Sequence, residues 1–390
     1  MAIAMTLNKK ILIAIPCLLR GGTEQQTLLL VNALIESGYA IEVCCYFEWD
    51  DMVVAEFRAK GAKVQLLRWN RAIGTFTFIR DLARIFRNIS PDVVHVQYMA
   101  PGLLPIMAAR LAHIKFVVAT VHQPGTPHGL KNRLLLRFGA RLVHHFTCVS
   151  EAAEKSWFGH SYLLDPKQPV KIYGRRHLTI PNAVDIESID KALKAKSPLV
   201  IQLAAKLKGK MIVGTVARLS IEKGIDILIE AFAEVHKAIP QSHLLIVGDG
   251  NQFPYLKQLV SNLDVSNAIT WTGKMSWEEA MGFIGLMDVV VVPSRFEGFG
   301  LTAVEAMTCG KPVVASSVDG LAEIISDGEN GVLVPSEDVT AFASALSELL
   351  NDEERRQTIG MAARRHVIDN YTYHIFRERV KTLYETVLGG

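Results

Sequence analysis

Twice along this 390-residue chain, short apolar runs alternate with stretches of helical character, and no other feature restricts the fold as much. In the first half the apolar runs fall at 10–16, 40–46, 63–67, 92–96, 115–119 and 144–149, with helical stretches near 23–37, 74–88, 100–112 and 130–142. In the second half the runs are 211–216, 243–248, 268–271, 287–292, 312–316 and 331–334. Helices near 223–238, 252–263, 276–284, 301–309 and 338–350 separate them. Strands that are apolar throughout, each followed by a helix, imply parallel sheets covered on both faces. Two such series imply an α/β protein with two doubly wound domains, as the length also suggests. The boundary is expected near 185–210, where KALKAKSPLVIQLAAKLKGK is lysine-rich and contains Ser197-Pro198; this gives domains over 1–195 and 196–370. The tail YTYHIFRERVKTLYETVL is amphipathic at helical spacing and is expected, over 371–390, to pack back on the first domain.

Half the residues are hydrophobic (49%) and 21% are charged, a globular composition. The stretch KKILIAIPCLLRGG at 9–22 has the lysines and apolar run of a signal peptide. Arg20 ends the run, however, and no small-x-small pattern follows, so it reads as a buried strand closed by a glycine turn. No apolar run reaches the roughly 18 residues of a spanning helix. Cys17, Cys44, Cys45, Cys148 and Cys309 are odd in number and lack CxxC or Cys/His spacing. They point to a reducing, cytoplasmic compartment, to no structural zinc, and to burial as small hydrophobes.

Net charge is +3, unevenly divided. Residues 1–196 hold 25 Lys and Arg against 15 Asp and Glu, a net +10, while 197–390 hold 17 against 24, a net −7. No nucleic-acid partner is expected. In KNRLLLRFGARLVHH (131–145), Lys131, Arg133, Arg137 and Arg141 sit among leucines, and Arg80, Arg84 and Arg87 form a second basic stripe. Basic amphipathic helices rest on anionic membranes, which makes a peripheral location on the inner face of a membrane the expectation. The plainer alternative buries the leucines and leaves the arginines solvated.

Ligands of open parallel sheets bind outside the carboxyl ends of the strands. One such loop is GTVARLSIEKG (214–224), where Arg218 offers a planar fork of donors and Lys223 a mobile point charge. Together with the following helix N-terminus they suit a diphosphate, although two surface cations can also be merely solvated. Another is SRFEGFGLTAVEA, in which Gly298 and Gly300 permit close backbone approach and the N–H groups of a helix starting near Leu301 can face a phosphate. A carboxylate accepts from two vicinal hydroxyls, so Glu297 and Glu305 are candidates to hold a hexose and a ribose on either side of a diphosphate. The alternative for both is charge complementing a helix dipole. In the first half, LRGGTEQQ places Gly21 and Gly22 in a close-approach loop, and ATVHQPG places His122 after a strand as proton carrier, carbonyl partner or structural histidine. Ser150 and Asn182 fall in similar loops. Neither LRGGTEQQ nor IVGDGNQF, where Phe253 takes the third glycine position, completes a GxGxxG, so nicotinamide-dependent dehydrogenation is disfavoured. Asp-x-Asp, HExxH and a Walker loop are missing, so no metal and no separate cofactor are expected.

The strings RGGTEQQ, TVHQPG, CVSEAA, IPNAVD, GTVARLSIEKG, LLIVGDG and PSRFEGFGLTAVEAMTCGKPVVAS run in this order over nearly the whole chain. In them the chain resembles the retaining, nucleotide-sugar-dependent glycosyltransferase family 4, whose GT-B fold has two Rossmann-like domains facing across a cleft and a tail helix crossing back to the first. The resemblance implies an acceptor-binding first domain and a nucleotide-sugar-binding second domain. Arg218 and Lys223 would bind the donor diphosphate, Glu297 the sugar and Glu305 the ribose. The amides of Gly298, Phe299, Gly300 and Leu301 would meet sugar and phosphate. Gly21 and Gly22 would lie beside diphosphate and acceptor, and His122 near the reacting carbon. It implies metal-free transfer of a hexose from a UDP-sugar or GDP-mannose to a glycan or lipid-linked acceptor, with retention. Asp319-Gly320, where members often carry Gly-Gly, and Gln123, where Asp or His is frequent, depart from the pattern and bear on donor and acceptor choice. The alternatives are a sugar-nucleotide epimerase or other enzyme of this fold, and a non-catalytic binding subunit.

Overall fold

A computed structural model describes residues 9–98, 102–168, 172 and 174–389; residues 100 and 101 of the expected helix at 100–112 lie outside them. The chain divides into two compact units, Met1–Ala183 with Tyr373–Gly390, and Val184–Thr372. The first contains β1 (Lys10–Ile15), β2 (Ala40–Cys45), β3 (Lys63–Leu66), β4 (Val93–Tyr98), β5 (Phe116–Val121), β6 (His145–Cys148) and β7 (His177–Thr179). These form one sheet in the order β3-β2-β1-β4-β5-β6-β7, parallel throughout. The second unit contains β8 (Met211–Val216), β9 (Ser242–Val247), β10 (Ile269–Gly273), β11 (Val289–Val292), β12 (Val313–Ser316) and β13 (Val332–Val334). Its sheet runs β10-β9-β8-β11-β12-β13, again parallel.

The apolar run that follows Lys9 and Lys10, signal-peptide-like in sequence, is the interior strand β1. Ile11, Ile13 and Ile15 enter one core with helices Gly22–Glu36 and Tyr373–Gly389, while Leu12 and Ala14 enter the core on the opposite face with helix Thr75–Ile89. Both faces are covered, so successive side chains must all be apolar. In each unit the strand order reverses once, between β1 and β4 and between β8 and β11. A crevice opens at such a reversal, because the flanking connections leave on opposite faces of the sheet.

The division of the chain differs from the expected 195/196 boundary. Asp185 caps helix Ile186–Ala195, and Arg364 grips Asp190 of that helix at 2.8 Å, which ties 184–195 to the second unit. The lysine-rich stretch is not a linker: Ser197 caps a further helix, Pro198–Lys206. Lys191, Lys194 and Lys206 lie exposed on these two helices. Strand β7 and helices Asp51–Ala59, Glu151–Phe158, Asp319–Ile324 and Glu353–Asn370 also go beyond the expected elements. They are short or strongly polar; the 18-residue Glu353–Asn370 buries only Ile359, Gly360, Ala363 and Val367. The tail helix packs in the first unit, where Phe376, Val380, Leu383 and Val387 join the β1 core and the Tyr384 hydroxyl lies 2.7 Å from His95 Nδ1.

All five cysteines are free, and all but Cys309 are buried. Burial pushes the Cys17 thiol up to about 12, so it stays protonated. Among the described residues no helix is long and apolar enough to cross a membrane.

Candidate functional site

In the second unit the two loops leaving β8 and β11 are brought together at the strand-order reversal. The first, 217–224, contains a single 3-10 turn, Ile221–Lys223, and ends on Gly224 at φ +61. A Cβ there would stand 2.0 Å from the carbonyl oxygen of Pro293, so only glycine lets this loop reach the second one, 293–300. The closure places Lys223 Nζ 2.5 Å from Glu297 Oε2, an ion pair with side chains about a quarter and a sixth exposed. Ser294 Oγ donates to the same oxygen at 3.3 Å.

Arg295, which sequence reasoning left unassigned, staples the two loops. Its guanidinium forks onto Asp226 at 2.8 and 3.1 Å, donates to the Ile221 carbonyl at 2.6 Å and meets Glu337 at 2.8 Å. Hydrogen bonds to Asp226, the largest influence, raise its already high pKa further. An arginine inside a strand-end loop was the available signal, but its partners are 69 and 42 residues away in sequence.

Gly300, at φ +103, caps helix Leu301–Thr308 with no side-chain acceptor, so the helix presents its first N–H groups uncapped. Thr302 Oγ1 donates to the Val216 carbonyl at 3.0 Å and pins this N-terminus beside the end of β8. The Phe299 side chain is buried and packs edge-on against Tyr371 at 5.4 Å, which leaves only its backbone to face a ligand. Asp319 sits at φ +36, and its Oδ2 accepts from the Glu297 amide at 3.4 Å; Gly320 N donates to Glu297 O at 3.2 Å. The departing dipeptide thus grips the backbone of Glu297.

The remaining candidates spread out. Arg218 is mostly exposed and pairs with Glu222 at 2.8 Å. Glu305 follows one turn into its helix, but its carboxylate is only 7% exposed and accepts from Trp277 Nε1 at 2.8 Å. Burial pushes its pKa up to about 7. Among the described residues no three His, Cys, Asp or Glu side chains gather as metal ligands.

Gly21, Gly22 and His122 belong to the first unit. Gly21 is the extended N-cap of helix Gly22–Glu36, with no side-chain cap. Glu24 folds over this turn: its Oε1 accepts from Leu19 N at 3.4 Å, and its Oε2 lies 2.7 Å from where a Gly21 Cβ would be. His122 follows β5 with Nε2 2.7 Å from Gln97 Oε1, and burial lowers its pKa to about 4, so the ring is neutral. Ser150 is a structural N-cap, accepting from Ala153 N at 3.0 Å. Gln123 offers its carbonyl to Trp157 Nε1 at 2.8 Å.

The chemistry available is anion binding by a cation and backbone amides, beside a carboxylate that can accept from hydroxyls. Comparisons with known proteins point the same way. Residues 20–188 match the family described as Glycosyltransferase Family 4, and residues 201–366 match Glycosyl transferases group 1. An uncharacterized glycosyltransferase of Methanocaldococcus jannaschii is 38% identical over 139 residues, 36% of this chain and 38% of that protein. A GDP-mannose-dependent monoacylated alpha-(1-6)-phosphatidylinositol monomannoside mannosyltransferase of Corynebacterium glutamicum is 27% identical over 83% of this chain and 84% of its own length. The crystal structure of Anabaena HepE in complex with UDP and glucose superposes with a TM-score of 0.79 at 21% identity, covering 97% of this chain and 100% of that one. At that identity the likeness concerns the fold, which is GT-B.

Proposed function

This chain belongs to glycosyltransferase family 4 and uses nucleotide sugars; from that premise we propose that it transfers a hexose, with retention and without a metal ion, from a UDP-sugar or GDP-mannose to a glycan or lipid-linked acceptor. The observation that carries the proposal is the Lys223–Glu297 pair beside the uncapped N-terminus of helix Leu301–Thr308. A diphosphate leaving group needs positive charge along its length; Lys223, the helix N–H groups and the exposed Arg218 would supply it. Glu297 then accepts from sugar hydroxyls, and Glu305 from the ribose. In the transfer the bond from the anomeric carbon to the diphosphate oxygen breaks, and a bond to the acceptor oxygen forms on the same face. The acceptor's proton passes to the departing diphosphate, so no protein base is required at the reacting carbon. On the family resemblance, Gly21 and Gly22 would lie beside diphosphate and acceptor, and His122 near the reacting carbon. The UDP and glucose of the HepE complex and the GDP-mannose dependence of the Corynebacterium relative motivate the two donor classes.

A thermal-shift series with UDP-glucose, UDP-N-acetylglucosamine and GDP-mannose is expected to single out one donor, because specific binding stabilises by mass action. With that donor the product should keep the donor's anomeric configuration, and rates should be unchanged by EDTA. An inverted product, or a rate abolished by chelation, contradicts the mechanism.

A membrane partner is part of the same reading, with its basis changed. Helix Leu130–Arg141 turns Leu130, Leu134, Leu135 and Phe138 to solvent, at 72, 56, 36 and 50% exposure. Arg133 donates inward to the Gly125 and His128 carbonyls, and Arg137 to that of Trp157. Neither buried leucines with arginines outside nor a purely basic face describes this helix. In the second stripe, Arg80 and Arg84 are paired with Asp81. An exposed apolar strip flanked by Lys131, Arg137 and Arg141 suits insertion into an anionic lipid surface. Vesicles containing phosphatidylglycerol should therefore bind the protein, salt should weaken binding without abolishing it, and Leu134→Asp with Phe138→Asp should remove it. Equal binding by wild type and double variant would defeat the idea.

A further inference from the structure

Among the buried polar atoms of the first unit that lack a hydrogen-bond partner among the described residues are two that lie side by side: Nδ1 of His122 and Nε2 of Gln97. Gln97, only 1% exposed, lies on β4 opposite Thr120 of β5, two residues before His122. Its Oε1 stands 2.7 Å from His122 Nε2. Both side chains line a cavity of about 30 Å³ that Gln26, Thr120 and Asn182 also border, room for about one water molecule. Unpaired buried polar atoms cost free energy, so a pair of them in one cavity points to a partner that arrives with water or substrate.

A carbonyl oxygen only accepts. With Gln97 Oε1 facing the ring, Nε2 carries the proton and Nδ1 is left with a bare lone pair. The reverse amide orientation would force the proton onto Nδ1, so the two arrangements make opposite statements about the ring. The nearby His95 is not available to take over this role, because its nitrogens already meet the Tyr384 hydroxyl at 2.7 Å and Thr120 Oγ1 at 2.6 Å.

We propose that Gln97 is the positioning residue for His122, holding the ring as the neutral Nε2–H tautomer so that Nδ1 accepts from an O–H group of water or substrate. The proposal rests on the reading of His122 as a site residue. Burial keeps His122 neutral at working pH, so tautomer rather than charge is what Gln97 controls.

The test uses the full chain labelled with ¹⁵N-histidine, in which two-bond ¹H–¹⁵N spectra distinguish bare from protonated ring nitrogens. The His122 signals are those lost in His122→Phe. Wild type should show protonated Nε2 and bare Nδ1. Gln97→Glu, which keeps an acceptor oxygen, should retain this pattern. Gln97→Met should lose it and lower kcat about tenfold or more, with donor KM and melting temperature much less affected. A shift of Nδ1 on adding UDP-glucose or GDP-mannose assigns the O–H group to substrate, and an unchanged signal assigns it to water. A protonated Nδ1 in wild type, or an unchanged tautomer in Gln97→Met, overturns the proposal. Should Gln97→Met fail to fold, the wild-type and Gln97→Glu spectra still decide. Full activity in His122→Phe would instead remove the reading of His122 itself, whatever the tautomer.

Discussion

Glu297→Ala will lower kcat about 10²- to 10³-fold while the melting temperature moves by no more than a few degrees. Hydrogen bonds preorganised for the reacting sugar typically have this weight in catalysis. Stability changes little because the Lys223–Glu297 pair is partly solvated, and such pairs contribute about 1 kcal/mol or less. The same substitution should not weaken the nucleoside diphosphate product. Lys223 is engaged by Glu297 at 2.5 Å in this structure and would be released to meet the phosphates. Calorimetry with UDP and GDP should therefore give equal or tighter binding of the cognate diphosphate. The two readouts part company, kcat falling while diphosphate affinity holds or rises, only if Glu297 serves the sugar and Lys223 the diphosphate. Unimpaired transfer, or diphosphate affinity lost in step with kcat, would sink this assignment.

Glu305→Gln is expected to stabilise the protein at pH 8 and to cripple donor binding. Burial pushes this carboxyl from 4.5 up to about 7, against the opposing hydrogen bond from Trp277. A raised acid pKa means that the folded state holds a proton which the unfolded chain has released. Stability from this group is thus present below about pH 4.5 and is lost as pH rises through 7. Replacing it with a neutral isostere should recover up to roughly 3 kcal/mol at pH 8 and almost nothing at pH 4.5. In melting temperature that is about 2–4 °C per kcal/mol for a unit of this size. A buried carboxylate whose removal stabilises the fold is retained for another purpose, and hydroxyl pairs of a ribose are the partner in the present reading. The donor KM should rise about tenfold or more, as for a site that loses a charged hydrogen bond to substrate. A stability gain equal at both pH values would show that Glu305 is not held protonated; an unchanged KM would separate it from the ribose.

Every strand anticipated from the apolar runs is present, with ends shifted by a residue or two. Such a strand must be apolar along its whole length, and that signal is local. The three-residue β7 carries too little of it, and Glu353–Asn370 is mostly polar. The strand-end loops were legible as well, because glycines and charges there stand out from the apolar runs. Gly224 and Gly300 do lie in the left-handed region, as a loop folded against its neighbour requires. Arg295 lies in the same loop as Gly300, but its role resides in Asp226 and Glu337, neither of which is near it in sequence.

By itself the sequence determined the two parallel-sheet units and the loops that carry the candidate chemistry, since periodicity and spacing are properties of neighbouring residues; the family came from the resemblance of its ordered motif strings. Tertiary structure alone decided that Lys223 meets Glu297 across 74 residues, that Glu305 is buried against Trp277, that Gln97 stands against His122, and that 184–195 joins the second unit. It also decided which face of helix Leu130–Arg141 looks outward. A periodic pattern defines two faces of a helix without saying which one is covered, and a carboxylate acquires its pKa from whatever packs around it. Both depend on contacts that exist only after distant segments have met.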